Sequence, residues 1–190
     1  IIDYNMGNLA SVYNACSKFT KDLKIVKNAD DLKNLDKIIL PGVGAYKDAM
    51  QHLEKSGLKD AILDFANSKK PLLGICLGMQ LLFESSEEFG YTKGLGLIEG
   101  KVVKFDKSKM SSDLKIPHMG WNNVADIKGK VLENISENDN FYFVHSYYAE
   151  IGESTTSVCD YITPFSATLE KNNFYAAQFH PEKSGDAGFK

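Results

Sequence analysis

No apolar run in this 190-residue chain approaches the ~18 residues that a bilayer-crossing helix requires. Excess charge is also missing. Twenty-two basic residues against 25 acidic ones leave a net −3, which offers no electrostatic footprint for nucleic acid. Cysteines are few, odd in number and far apart. Cys16, Cys76 and Cys159 suggest neither a disulfide framework nor a zinc cluster, and a reducing cytoplasm suits them best. Repeats, linkers and low-complexity segments are absent. The third glycine of a GxGxxG loop is missing after Gly42-Val43-Gly44, where Lys47 stands in its place, and no GK[ST] ending follows. That argues against phosphate cradling. The chain opens without an initiator methionine inside an apolar stretch, Ile1-Ile2-Asp3-Tyr4, and stops at Phe189-Lys190 where a helix would begin. Both ends are therefore expected to be truncated, and a missing targeting segment stays open.

What is present is a chain of ordinary globular composition, 43% hydrophobic and 25% charged, long enough for a sizeable core. Residues 1–190 are expected to form one domain. Short apolar stretches at 1–4, 24–27, 37–40 and 72–75 read as strands. Between them, apolar residues recur at helical spacing: Leu9, Val12, Tyr13, Cys16 and Phe19 after a capping Asn8, then Tyr46–Lys55 and Leu58–Ser68 on either side of Gly57. Strands alternating with helices predict an α/β fold, with a doubly wound, mostly parallel central sheet covered by helices on both faces. The second half is richer in strands. Leu97–Phe105, Gly120–Val124 and the aromatic Phe141–His145 precede an antiparallel meander over Thr156–Ile162, Ser166–Glu170 and Phe174–Phe179, with a polar turn at Lys171-Asn172-Asn173. Lys104–Lys115 reads as a surface loop.

The stretch from Lys70 to Phe83 organises the chemistry. It reads as a buried strand, a turn Gly74-Ile75-Cys76-Leu77-Gly78 and an apolar helix. This is the pattern of a nucleophile elbow with cysteine in place of serine. Glycines two residues before and after the nucleophile remove the Cβ atoms that would collide in so tight a turn. The helix amides below would favour a thiolate. A structural cysteine between two packing glycines fits the elbow alone equally well, so the remainder of the chain has to decide.

A nucleophilic cysteine needs a base, an orienting group and oxyanion donors. Of the four histidines, His52 lies in a polar helix and His118 on a loop, in a structural or interfacial role, while His145 ends the aromatic strand. His180 follows a strand end and precedes Pro181-Glu182, so Glu182 can hold the imidazole while His180 faces the thiol. Oxyanion donors would be the Leu77 amide and one amide from Pro41-Gly42-Val43-Gly44. Val43 is the foremost candidate, with Gly42 beside it. Glycine on both sides of Val43 would let its peptide turn over, making the hole switchable. Cys16 sits on the buried stripe of its helix and reads as packing.

These segments resemble the class I glutamine amidotransferases. The elbow Gly74–Gln80 and the His180-Pro181-Glu182 pair carry the likeness. Within the family, Ile2-Asp3-Tyr4 with Gly7-Asn8-Leu9, Pro41–Gly44, Pro117–Asn122, Phe143–Tyr147 and His180–Gly185 are most similar to the glutaminases that serve imidazole glycerol phosphate synthesis. The resemblance covers essentially the whole chain and implies a flavodoxin-like fold with an added meander. It also implies hydrolysis of glutamine to glutamate and ammonia by a Cys76-His180-Glu182 triad, without metal or cofactor. Gln80, Glu88, Ser146 and Tyr147 would contact the substrate. Asn8, Trp121, Tyr142 and Lys183 would face the partner. That partner is a (β/α)8-barrel synthase, the cyclase subunit that turns the ammonia into imidazole glycerol phosphate and aminoimidazole carboxamide ribotide for histidine biosynthesis. Two other readings stay open: a glutaminase of another pathway, such as anthranilate, guanylate or pyridoxal phosphate synthesis, and a non-catalytic α/β regulatory module.

Overall fold

A computed structural model describes residues 1–190. Asn8 accepts the Ser11 amide through Oδ1 and so starts α1 (Leu9–Cys16). A 3-10 turn at Ala29–Asn34 leads to β1 (Ile38–Leu40), then α2 (Tyr46–Lys55), α3 (Leu58–Asn67), β2 (Leu72–Ile75) and α4 (Leu77–Leu81). The second half supplies β3 (Phe83–Ser86), β4 (Thr92–Lys93), β5 (Ile98–Lys104), β6 (His118–Asn123) and β7 (Asn140–His145). After these come β8 (Tyr147–Ala149), β9 (Thr155–Asp160), β10 (Pro164–Lys171), β11 (Phe174–Ala177) and α5 (Gly185–Phe189).

The central sheet has the order β1-β2-β11-β10-β9. The first three strands are parallel, and β10 runs antiparallel to both its neighbours, so the meander continues the central sheet rather than standing apart. Side-chain alternation along the short parallel strands sorts the core onto two faces. Ile38, Leu40 and Leu72 join the packing of α2 and α3, including Tyr46, Leu53, Leu58 and Ile62. Ile39, Leu73 and Ile75 face α1 through Val12 and Leu9. Two smaller sheets, β4-β3-β5-β8 and the hairpin β6-β7, complete the fold. The hairpin closes a second core of Phe105, Phe141, Phe143, Phe165 and Phe179 against the meander.

Several expectations change. Residues 1–4 and 24–27 share only the single parallel bridge Ile2–Val26, held by Asp3 N–H to Val26 O and Val26 N–H to Ile1 O. The ladder stops because Tyr4 turns inward, where its hydroxyl donates to Pro41 O at 2.8 Å. Helix α4 ends at Leu81 rather than reaching Phe83. The Leu82 carbonyl accepts from Leu97 and Ile98, which draws the following residues into β3. Phe19 lies beyond the Ser17 cap of α1, largely exposed, with its ring 6.1 Å from that of Phe189. His118 is buried in a strand, not on a loop, directly opposite His145.

The arrangement matters for position. The carboxyl ends of the three adjacent parallel strands deliver Pro41–Gly44 after β1, Cys76 after β2 and the segment Gln178-Phe179-His180 after β11. In an open α/β sheet that edge is where ligands are bound.

Candidate active site

Cys76 occupies φ 53°, ψ −111°, a left-handed conformation that costs of order 1–3 kcal/mol outside glycine. The surrounding turn over-determines it. A Cβ on Gly74 would stand 2.8 Å from Gly78 O and 2.9 Å from the Met79 backbone, and one on Gly78 would be driven into the Leu40 carbonyl. The Cys76 amide is tied to Ala177 O of β11 at 2.8 Å. The thiol lies 3.9 Å from Val144 O and receives a hydrogen bond from Gln178 Nε2 at 3.7 Å. The Leu77 N–H, first in α4, has no partner within the helix and none elsewhere in the fold.

His180, the candidate base, is held from three sides. His180 N–H donates to Tyr142 O on β7, and the Ser184 hydroxyl donates to His180 O while accepting from Tyr142 N–H. The ring donates from Nδ1 to Glu182 Oε1 at 2.8 Å, and both side chains are buried. Burial opposes charge on this ring, but the neighbouring Cys76 sulfur and the Glu182 carboxylate outweigh it and raise His180 to about 9. Its Nε2 has no hydrogen-bond partner within the fold, leaving that nitrogen free to carry a reaction proton.

A cavity of about 280 Å³ opens over the thiol. Its lining brings together Val43, Leu77, Cys76, His180, Gln80, Glu88, Ser146 and Tyr147. Glu182 stands behind His180 rather than in the lining. Burial raises the Glu88 carboxyl, partly countered by its acceptance of the Tyr46 amide at 2.6 Å, so this group caps α2 from the cavity wall. Gln80 donates to Tyr147 O at 2.8 Å and to Gln178 Oε1 at 3.0 Å. Gly42 lies tight over the elbow, where an added Cβ would stand 2.9 Å from Leu77 Cβ. Val43 is different. Its N–H donates to Met6 O at 2.8 Å and therefore does not point at the cavity.

The four residues expected at the partner face lie outside the cavity. Trp121 and Tyr142 pair across the hairpin edge to face with centroids 5.9 Å apart, and Lys183 Nζ lies 6.0 Å above the Tyr142 ring. Met119, on the same side of β6 as Trp121, is 63% exposed and Trp121 is 55% exposed. Asn8 is exposed at the start of α1, which packs against the Pro181–Lys183 turn.

Other thiols and cavities carry less chemistry. Burial pushes Cys159 up to about 12 and raises Cys16 as well, as expected of packing thiols. The largest cavity, about 670 Å³, reaches toward the amino ends of the same strands. It is lined mostly by apolar groups such as Phe19, Leu23, Ile39 and Leu73. Sequence reasoning passed over Gln178, Tyr4 and Ser184. The one available signal was a glutamine inside the apolar run Ala176–Phe179.

The model of the family "Glutamine amidotransferase class-I" matches residues 1–188. The chain is 52% identical to imidazole glycerol phosphate synthase subunit HisH of Sulfurimonas denitrificans, covering 100% of this chain and 93% of that one. It is 49% identical to the same subunit of Wolinella succinogenes, covering 100% and 94%. Among solved structures, PurLQS from Thermotoga maritima superposes with a TM-score of 0.73 at 19% identity, covering 99% of this chain and 92% of that one. A crystal structure of a glutamine amidotransferase gives 0.71 at 17% identity, covering 98% and 92%. At these identities the structural likeness speaks for the fold.

Proposed function

The chain belongs to the class I glutamine amidotransferases, as a glutaminase subunit of imidazole glycerol phosphate synthase in histidine biosynthesis, and we propose that Cys76, His180 and Glu182 perform its chemistry. The observation that carries this reading is the strained Cys76 beside a buried His180–Glu182 pair at one amino-acid-sized cavity. His180 takes the thiol proton, and the sulfur attacks the side-chain amide carbon of glutamine to form a C–S bond. The proton on His180 then passes to the departing nitrogen, ammonia leaves, and a glutamyl thioester remains. Water, deprotonated by His180, hydrolyses the thioester to glutamate. Glu182 keeps the imidazole in its working tautomer and steadies its positive charge. Leu77 N–H supplies one oxyanion donor, and Val43 supplies the other once its peptide turns away from Met6. Glu88, Ser146, Tyr147 and Gln80 hold the substrate.

The protein works as one subunit of a complex. We assign the partner as a (β/α)8-barrel synthase docked on Trp121, Tyr142, Lys183 and Asn8 and receiving the ammonia. The exposed Met119–Trp121 strip supports this, because exposed aromatic and methionine surface ringed by polar groups marks protein interfaces. No helix is long and apolar enough to cross a membrane. We assign a cytoplasmic setting from the free cysteines. The test uses Cys76→Ala in the assembled complex. Product formation from glutamine is expected to vanish while formation from free ammonium persists. Continued glutamine turnover would rule out Cys76 as the nucleophile.

A further inference from the structure

Gln178 is fully buried, two residues before the base, and its side chain lies against the reacting sulfur. Its orientation is fixed by a chain of constraints. The Tyr147 carbonyl can only accept, so the Gln80 atom 2.8 Å away is the nitrogen. That nitrogen spends its second hydrogen on Gln178 at 3.0 Å, so the Gln178 atom there is the oxygen. The Gln178 NH2 group must therefore face Cys76 Sγ, 3.7 Å away. The network runs from a backbone carbonyl through two amides to the sulfur, with no freedom to flip.

An oxygen alone would satisfy the second Gln80 hydrogen, so the feature that packing leaves unexplained is the NH2 group turned toward the sulfur. A neutral thiol is a weak acceptor, whereas a thiolate makes the contact charge-assisted and about twice as strong.

Building on the triad reading, we propose that Gln178 is a further catalytic residue, whose side-chain N–H stabilises anionic sulfur at both ends of the reaction. Before attack it holds the thiolate and aims a lone pair at the cavity. During thioester hydrolysis, water adds to the carbonyl carbon with its proton going to His180, and the C–S bond breaks with its electron pair passing to sulfur. Gln178 stabilises that leaving thiolate. The other titratable groups near the sulfur are Tyr4, His180 and, behind the base, His145.

The test is the pH dependence of Cys76 alkylation by iodoacetamide on the assembled enzyme, together with glutaminase kinetics. Gln178→Glu keeps the volume and an acceptor for Gln80 but sets a carboxylate oxygen against the sulfur in place of the donor. Gln178→Met keeps only the volume. Folding is checked by circular dichroism. Loss of the charge-assisted bond in Gln178→Met should move the alkylation midpoint up by about one pH unit, equivalent to ~10-fold less thiolate at a fixed pH below it, and like-charge repulsion in Gln178→Glu should move it further. Loss of the bond should also lower kcat about 10-fold with KM unchanged, because the donor reaches sulfur and not substrate. An unmoved midpoint, or a loss confined to KM, would overturn the proposal. The wild-type control separates the two readings. If saturating glutamine fails to protect Cys76 from alkylation, the glutaminase assignment falls rather than the role of Gln178.

Discussion

The two walls of the cavity are in different states of readiness. On the triad wall, every group is already placed. Cys76 is locked by the elbow, His180 is pinned to Tyr142 and Ser184, and Glu182 holds Nδ1 at 2.8 Å. On the opposite wall, Val43 is 39% exposed and its amide is engaged with Met6 O. Both walls hang from adjacent strand ends, yet one is cemented by buried contacts and the other by a single exposed peptide. The difference separates chemistry from control. A hydrogen bond of the Val43–Met6 kind is worth only about 0.5–1.5 kcal/mol net, so docking of a partner near Met6, Asn8 and the loop can exchange it cheaply. A missing oxyanion donor costs ~2.7–4 kcal/mol in the transition state. On the proposed role of Val43, a small structural change would control a large change in rate.

The largest effect should come from breaking the ready wall. Glu182→Gln removes the charge that steadies the imidazolium and is expected to cut turnover by about 10³–10⁴, as loss of the orienting carboxylate does in comparable triads. Steady-state assays of the free chain and the complex should fall by the same factor, leaving the activation ratio intact. Val43→Pro sharpens the contrast from the other side. It deletes the N–H that the hole needs, so glutaminase activity of the complex should drop about 10²–10³ while the free chain hardly changes. Equal losses in both states would show that Val43 already serves the hole before assembly.

Gly74→Ala tests the elbow through stability. Its Cβ would meet backbone atoms of Gly78 and Met79 at 2.8–2.9 Å, and urea denaturation should show a loss of about 1–3 kcal/mol. The smallest expected effect concerns the buried histidines behind the cavity. Burial first, and the neighbouring His118 second, lower His145 to about 3, and burial also lowers His118. Because His145 is depressed in the folded state, its contribution to stability is present above its unfolded value near 6.5 and is lost as pH falls below it. Unfolding free energy should decline by about 1.4 kcal/mol per pH unit below pH 6.5 from His145, with His118 steepening the slope. Chemical denaturation between pH 6.5 and 5 measures this, below the range in which the raised His180 adds stability of the opposite sign, and a flat profile would contradict the buried neutral pair.

Much of the ready wall was legible in the sequence because its determinants are local. The elbow lies within five residues, Gly74 to Gly78, and His180 and Glu182 are separated by one proline. The parallel strands announced themselves as short apolar runs, and the alternation of β1 and β2 sorts onto the two faces as expected. The rest depends on distant partners. Nothing near Val43 says that its amide meets Met6, and Gln178 finds Gln80 and Cys76 from 98 and 102 residues away. Strands β3 and β8 exist because β5 pairs with both, so tertiary pairing overrides a weak local pattern. His118 looked like a loop residue beside Pro117, but the register with β7 places it opposite His145 in the second core.

If assembly completes the oxyanion hole and leaves the triad as it was, two reactions of Cys76 should respond differently. Iodoacetamide reacts at a saturated carbon and needs a reactive sulfur but no oxyanion donor, whereas glutamine hydrolysis needs both. Comparing the two rates at Cys76, for the free chain and for the assembled complex, separates them. Glutamine turnover is expected to rise about 10²–10³ on assembly while alkylation stays within the same order of magnitude. Parallel increases in both would contradict it, by showing that the partner builds the nucleophile as well as the hole.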